Sequence, residues 1–171
     1  MYPVEWSAGE DFTEETLAAR LVDHCMQRLA IDSATVLLVD HDTSLRVAAA
    51  SDLAARTLEW SAISGRQGSG ADCCRTGERV RSLNLAHKTR WPEFTPAATQ
   101  HRIASVFALP LRHHDTTIGA LDLFTAHPGP MAATDLDVAG ALAQLVAITI
   151  LASRRTRAPE PTPTAPTPTR S

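Results

Sequence analysis

Two pairs of short apolar segments, each pair joined by a few polar residues, constrain the fold of this chain more than any other feature. The first pair covers residues 34–39 and 45–50, and the second covers residues 103–111 and 117–124. Apolar runs of this length separated by a polar turn are typical of antiparallel hairpins. We therefore expect two hairpins and an antiparallel sheet.

Helical patterns precede and follow these hairpins. The first runs from Glu14 to Ala30, with apolar residues at every fourth position and capping candidates at Asp11 and Thr13. A second, short helix is expected after the cap Asp52, and a third, brief one ends near Gln100. This order predicts an α+β domain whose helices pack to one side of the sheet.

The segment between the two hairpins is rich in glycine. Gly65, Gly68 and Gly70 fall within six residues and predict a loop, because glycine interrupts a helical pattern. A short strand is expected over residues 80–85.

The chain divides into three parts by composition. Its 171 residues suit one domain, which we place at residues 13–157, after an N-terminal extension of residues 1–12. Five of the eleven prolines lie in residues 158–171, where they alternate with threonine. Such a tail favours extended chain and supplies no core, so we expect it to be disordered.

Charge and composition argue against several classes of partner. Sixteen Lys and Arg residues against nineteen Asp and Glu give a net charge of −3, and only 5% of residues are aromatic. We therefore expect no nucleic-acid partner and no membrane partner. The N-terminus lacks a signal peptide pattern, and the most apolar stretch, residues 141–152, is too short to span a bilayer. A cytoplasmic location is expected, and three cysteines fit a reducing compartment.

Four segments carry a resemblance to a known family. They are residues 75–80 (RTGERV), 90–94 (RWPEF), 105–111 (SVFALPL) and 118–123 (IGALDL). Their order and spacing resemble the signatures of a GAF domain, and most of all the bacterial GAF domains that are fused to an RNA-binding ANTAR module. The resemblance implies an antiparallel sheet flanked by helices. The chain passes from Arg155 into the Pro-Thr tail, so we expect no ANTAR output module.

The resemblance also implies a function and a site. GAF domains of this kind are sensory or regulatory parts of signal-transduction proteins, so we expect a non-catalytic domain that binds a small molecule or a partner protein. The ligand-binding residues that it implies are Asp72, Cys73, Thr76, Arg90, Trp91, Phe94 and Phe107.

The adjacent thiols of Cys73 and Cys74 leave two alternatives open. Nearby Arg75 and Arg79 could favour a thiolate, which would suit a redox sensor. Some GAF domains reduce methionine sulfoxide through separated cysteines, but an adjacent pair would have to close a strained ring. The simpler interpretation is that both cysteines, like Cys25, pack in the core.

The seven histidines do not form a convincing ligand set. His113 and His114 fall in a predicted turn, while His87 and His101 stand alone beside the expected pocket. We therefore expect no metal and no cofactor.

The last helix, opening at Thr134 and Asp135, carries more apolar surface than one sheet contact needs. One apolar stripe includes Leu142, Val146 and Ile150. A second stripe lies on another face of the helix and consists of Leu145, Ile148 and Leu151. We expect this second face to form a homodimer. A GAF scaffold that dimerises without any small ligand is the alternative to a sensor.

Overall fold

The elements of the fold follow the two predicted hairpins closely. The structure, a computed structural model, describes residues 12–87 and 90–157. The helices are α1 (Glu14–Arg28), α2 (Leu53–Gly65), α3 (Ser69–Thr76), α4 (Phe94–Gln100) and α5 (Ala133–Arg157). The strands are β1 (Ser33–Val39), β2 (Leu45–Ala50), β3 (Val80–Ser82), β4 (Ser105–His113) and β5 (Thr116–Thr125), and a 3-10 turn covers Leu85–His87. The predicted tail and residues 1–11 of the predicted extension lie outside the described residues.

The five strands form one antiparallel sheet in the order β2-β1-β5-β4-β3. Both predicted hairpins are confirmed, and β1 joins them by pairing with β5. Gly119 of β5 lies opposite Leu38, where an added Cβ would collide with the backbone carbonyl of Leu37. The glycine is needed there because the two central strands approach closely.

Helices cover both faces of the sheet, so the expectation that they pack to one side is wrong. Helices α1 and α5 cover one face, and α2, α3 and α4 cover the other. The reason lies in strand alternation, which points successive side chains of each central strand to opposite faces. In β1, Val36 and Leu38 face α1 and α5, whereas Thr35 faces α2. Both faces of this sheet therefore carry residues that must be buried.

Helix α3 occupies the segment that the glycines predicted to be a loop. Gly68, with φ of 111°, precedes the helix, and Gly70 lies within its first turn. The helix forms because Gly70 lets it lie directly on the sheet, where an added Cβ would meet Asp122 and Leu37. Tertiary packing therefore outweighs the low helix propensity of glycine.

Helix α5 packs on the sheet through small residues. Ala139, Ala143, Ala147 and Ile150 are buried, and Leu142 is only partly buried. Among the described helices, α5 alone is long and apolar enough to cross a membrane, and 22% of its apolar window is buried. The apolar stretch of residues 141–152, which was expected to be too short to span a bilayer, therefore lies inside a helix that is long enough by length and composition.

Ion pairs fasten the start of α1 to β2 and α5. The Glu14 carboxylate forms ion pairs with Arg46 of β2, at an N–O distance of 2.8 Å, and with Arg154 of α5, at 2.7 Å. Glu15 also pairs with Arg46, at 2.6 Å. The Arg154 hydrogen bond is the main cause that lowers the pKa of Glu14. This cluster places the N-terminus of α1 beside the first residues of β2.

Candidate functional site

The face of the sheet beneath α2 and α3 contains two buried acids. Glu59 of α2 and Asp122 of β5 are both fully enclosed. Thr35 donates its hydroxyl to Glu59 Oε1 at 2.9 Å, and Ser69 donates to Asp122 Oδ1 at 2.8 Å. Their other oxygens, Oε2 and Oδ2, have no further partner among the described residues.

The protonation of these two carboxyl groups is coupled. Burial raises the pKa of Glu59 well above its usual range, and the charge of Asp122 raises it further. Burial likewise raises the pKa of Asp122, while the hydrogen bond from Glu59 opposes that rise. A proton held on Glu59 and donated to Asp122 would satisfy both remaining oxygens, and the pair would then share one negative charge.

The adjacent thiols lie next to this acid pair. Cys73 is buried and Cys74 is half-buried. Burial is the main cause that raises the pKa of both thiols, and the negative charge of Asp122 adds to it. Cys25, in the α1 core, has its pKa raised to about 11 by burial. Burial and the nearby acids therefore raise the thiol pKa values more than Arg75 and Arg79, which were expected to favour a thiolate, lower them.

Asp72 is the centre of a second polar cluster, at the outer side of α3. Trp91 donates its indole N–H to Asp72 Oδ2 at 3.0 Å, and Arg90 pairs with the same oxygen at 2.8 Å. Arg75 approaches Oδ1 at 3.4 Å. The guanidinium of Arg90 also lies over the Trp91 ring, 5.9 Å from its centroid. These contacts fix the carboxylate of Asp72.

The structure brings six of the seven expected ligand-binding residues to one side of the sheet. Thr76 donates its hydroxyl to the backbone carbonyl of Asp72, and Phe94 packs edge-on against Trp91 with ring centroids 5.6 Å apart. Cys73 packs on Ala108 in the sheet. Phe107 lies on the opposite face, against the core of α1 and α5.

Asp72 also lines an open cleft of about 530 Å³ between the β1–β2 turn and helices α2 and α3. We call it the α2–α3 cleft. Its walls are formed by Asp42, Thr43, Ser44, Leu45, Ile63, Arg66, Ala71, Asp72 and Arg75.

Two residues of this cleft have left-handed backbone conformations. Thr43 has φ of 67°, and Arg66, which ends α2, has φ of 54°. A positive φ is costly for a β-branched residue such as threonine. Residues held in such conformations concentrate at functional sites. The turn and the helix end therefore both present strained backbone to the cleft.

The charges of the cleft suit a small polar ligand. Arg66 and Arg75 supply two guanidinium groups, and Asp42 and Asp72 supply two carboxylates. In the part of the chain that the structure describes, the Arg66 side chain makes no ion pair or hydrogen bond. Across residues 12–87 and 90–157, no group of three or more His, Cys, Asp and Glu side chains is arranged to hold a metal ion.

Sequence reasoning missed Glu59, Asp122 and Arg66. Asp122 had a signal, since it is an acid in the middle of the apolar strand Thr116–Thr125. An acid at such a position must be paired or neutralised. Glu59 and Arg66 had none, because a helical acid and a polar residue after a helix are ordinary on a surface.

The comparison that decides the family is a match over most of the chain. The family model described as a GAF domain matches residues 13–151. The chain belongs to the GAF domain family. The resemblance predicted from residues 75–80, 90–94, 105–111 and 118–123 is thereby confirmed at the level of the family.

Solved GAF structures share this architecture. A domain of a putative two-component sensor histidine kinase from Sinorhizobium meliloti superposes with a TM-score of 0.71 at 19% identity, covering 86% of this chain and 100% of that one. The GAF region of a putative membrane protein from Geobacter sulfurreducens gives 0.66 at 18%, covering 81% and 93%. The GAF-B domain of DevS from Mycobacterium smegmatis gives 0.58 at 13%, covering 85% and 100%.

These superpositions establish the α+β fold, an antiparallel sheet flanked by helices. No curated protein matches this chain. GAF domains are sensory and regulatory modules of signalling proteins and are generally non-catalytic.

Proposed function

We propose that this GAF domain is a non-catalytic sensor that binds a small anionic molecule, carrying a carboxylate or a phosphate, in the α2–α3 cleft. The observation that carries the proposal is the cleft itself, whose volume of about 530 Å³ lies in the range of small-molecule sites. Arg66 and Arg75 would hold the anionic group. Asp72, fixed by Arg90 and Trp91, would accept a donor on the ligand.

The remaining expected site residues support this cleft from behind. Thr76 donates its hydroxyl to the backbone carbonyl of Asp72 within α3, Cys73 packs from the same helix onto the sheet, and Phe94 packs against Trp91. We leave Phe107 out of the proposed site, because the sheet separates it from Asp72. A ligand in the cleft would touch α3 and the β1–β2 turn, so binding would change their packing.

Absence of catalysis is part of the proposal. The acids with raised pKa values, Glu59 and Asp122, are enclosed beneath α3 and bond to protein groups. Burial raises the pKa of Cys73 and Cys74, which disfavours a nucleophilic thiolate. A polar cleft without an activated nucleophile suits recognition.

A panel of anions tests the cleft. Thermal melts of the full chain with inorganic phosphate, citrate, glutamate and adenosine monophosphate should show stabilisation by at least one of them, since a ligand that binds only the folded state raises its stability. Arg66→Gln and Arg75→Gln should abolish the shift. Arg81→Gln, which removes an exposed arginine of β3 outside the cleft, should retain it. Equal shifts in all variants would place binding elsewhere.

The exposed face of α5 favours a second function, that of a dimerisation scaffold. Val138, Leu145 and Ile148 are exposed, and Leu145 is 60% accessible. With Ala141 and Ala152, which are also exposed, they are spaced by alternating steps of three and four residues. This is the spacing of a two-helix seam. We propose that two copies pair along it through Leu145 and Ile148, two residues of the face expected from the sequence. Leu151, which was expected on the same face, packs against the core of α1 and α5 instead.

A matched pair of substitutions tests that seam. Leu145→Glu should convert the dimer to a monomer in light scattering, because a charge replaces an apolar contact at the centre of the seam. Leu53→Glu makes the same change at a leucine that is 78% exposed at the start of α2, and it should leave the dimer intact. A wild-type monomer would contradict the scaffold function but not the sensor.

Location and regulatory context remain proposals. We propose a cytoplasmic bacterial protein, since α5, the described helix that could span a bilayer, packs one face on the sheet. The finer resemblance, to the GAF domains of GAF-ANTAR regulators, stays a prediction from the sequence.

A further inference from the structure

Another cavity adjoins the α2–α3 cleft. It is a groove of about 370 Å³ between β2 and α2, and we call it the Trp60 groove after the residue on its wall. Leu45 of β2 and Ile63 of α2 line both cavities, so the groove continues the cleft along α2. A molecule held in the cleft can therefore extend into the groove without leaving the surface of the domain.

Trp60 gives this groove an aromatic wall. It is 67% exposed, although the indole ring is a large apolar group that proteins usually bury. Leu45, Val47 and Ile63 are partly buried and add apolar surface beside it. These four side chains form an apolar, concave patch directly beside a polar cleft, and that combination is typical of small-molecule sites.

The α2 residues that line the two cavities follow one line along the helix. Arg56, Trp60 and Ile63 are spaced by four and then three residues, which places them on one side of α2. Arg66, which ends the helix, follows three residues later. At about 1.5 Å of rise per residue, Arg66 lies roughly 9 Å along the helix from Trp60. This separation sets the length of a molecule that touches both residues.

The two ends of the line select different parts of a ligand. Arg66 and Arg75 are the cations of the α2–α3 cleft, so an anionic group is stabilised there. At the other end Arg56 lines the groove with Trp60, and within the described residues its side chain makes no ion pair or hydrogen bond. Indole and guanidinium groups are both flat, and both stack on aromatic rings. The groove therefore favours a flat ring over an alkyl chain.

We propose that the ligand of the α2–α3 cleft is an aromatic acid, with its carboxylate or phosphate at Arg66 and Arg75 and its ring against Trp60. The inference rests on the proposed sensor function and adds the chemical class of the ligand. A linker of about three or four carbon atoms joins the acid to the ring, since roughly 9 Å separate the two ends.

Two matched pairs of compounds test the contribution of the ring. They are 4-phenylbutyrate with butyrate, and 3-phenylpropyl phosphate with propyl phosphate, each followed in NMR titrations of the full chain. In at least one pair the compound with the ring should bind at least about tenfold more tightly. Trp60→Ala should remove this gain and leave the affinity of the compound without a ring unchanged. Leu53→Ala, at a leucine that is 78% exposed on α2 and outside the groove, should keep the gain.

The outcomes separate this inference from the sensor function. Equal affinities within both pairs, or a gain that survives Trp60→Ala, would overturn the aromatic ligand, while weaker binding of every compound by Arg75→Gln would still support the cleft. Octanoate that binds as tightly as 4-phenylbutyrate would assign an alkyl chain to the groove instead of a ring. Affinities that Arg75→Gln leaves unchanged, or no binding by any of these compounds, would contradict both the cleft and the inference.

Discussion

Glu59 of α2 and Asp122 of β5 are two enclosed acids whose protonation is coupled inside the domain. The pair lies between the helical layer and the centre of the sheet, because Asp122 lies in the strand between β1 and β4. Two carboxylates cannot both stay charged in such a site, so the pair is most stable when it keeps a proton. Protonation of this pair is therefore linked to the stability of the layer that carries the cleft.

We predict that Glu59→Gln flattens the dependence of stability on pH. Burial raises the pKa of both acids in the folded state, so the folded protein binds more protons than the unfolded chain above the unfolded pKa. The stabilisation is present at low pH and is lost as pH rises through the folded pKa values. In the wild type the free energy of unfolding should fall as the pH rises past the unfolded values of about 4 and through the folded Asp122 pKa of about 6, by up to about 1.4 kcal/mol per pH unit for each proton.

Urea denaturation across that pH range measures the effect. Glutamine stays neutral and can still donate to Asp122, so the variant should lose less stability on going to high pH. Glu78→Gln, at an exposed position, should follow the wild-type curve. Parallel curves for Glu59→Gln and the wild type would contradict the shared proton.

We predict that Trp91 contributes to stability in two separable ways. Trp91→Ala should cost about 3–5 kcal/mol, similar to Phe107→Ala, because both rings are buried in a core. Trp91→Phe keeps a ring but leaves Asp72 without the indole donor, and it should cost about 1–3 kcal/mol. Trp60→Phe, at an exposed position, is the control and should stay within about 0.5 kcal/mol in urea denaturation. A Trp91→Phe change in unfolding free energy within that same small range would show that the hydrogen bond from Trp91 to Asp72 contributes little to stability.

We predict that Thr43→Gly stabilises the domain by about 1 kcal/mol. Thr43 has φ of 67° in the β1–β2 turn, a conformation that glycine adopts at lower cost. Ser44→Gly, at the neighbouring residue outside the positive-φ region, should destabilise instead, since it also removes the hydroxyl bond to Asp42. Thermal melts of the two variants compare them directly, and destabilisation by Thr43→Gly would show that the turn is unstrained.

We predict that the thiols are unreactive in the folded protein. The pKa of each cysteine is raised by burial, so little thiolate is present at neutral pH. A thiol reagent should label the native chain slowly and the urea-unfolded chain at all three cysteines. Rapid native labelling that Cys74→Ser removes, with loss of two hydrogens on oxidation of the wild type, would favour the redox sensor.

Much of the fold could be predicted from the sequence because it depends on local signals. The cap residues Thr13 and Asp52 accept hydrogen bonds from the first turns of α1 and α2 as expected. The hairpins follow from alternating apolar runs and polar turns. Helix α3 could not be predicted, because its glycines are favourable only where the helix meets Asp122 and Leu37.

The site was less predictable for a related reason. The family resemblance implied Asp72, Arg90 and Trp91 as site residues, and these three do lie together. It also implied Phe107, which faces the other helical layer. A strand of strictly alternating burial shows which residues share a face, but only the tertiary structure shows which layer covers that face. The pairing of Glu59 with Asp122 joins elements that are distant in sequence and has no local pattern.

Native mass spectrometry of the protein purified from the organism that encodes it tests the sensor function most directly. We expect the wild type to carry an additional small-molecule mass that is lost on unfolding, because a cleft with two arginines and a fixed Asp72 should retain its ligand. Arg75→Gln should lack that mass, whereas Arg81→Gln should keep it. A wild-type spectrum that shows only the polypeptide mass, or the same additional mass in Arg75→Gln, would contradict binding in the α2–α3 cleft.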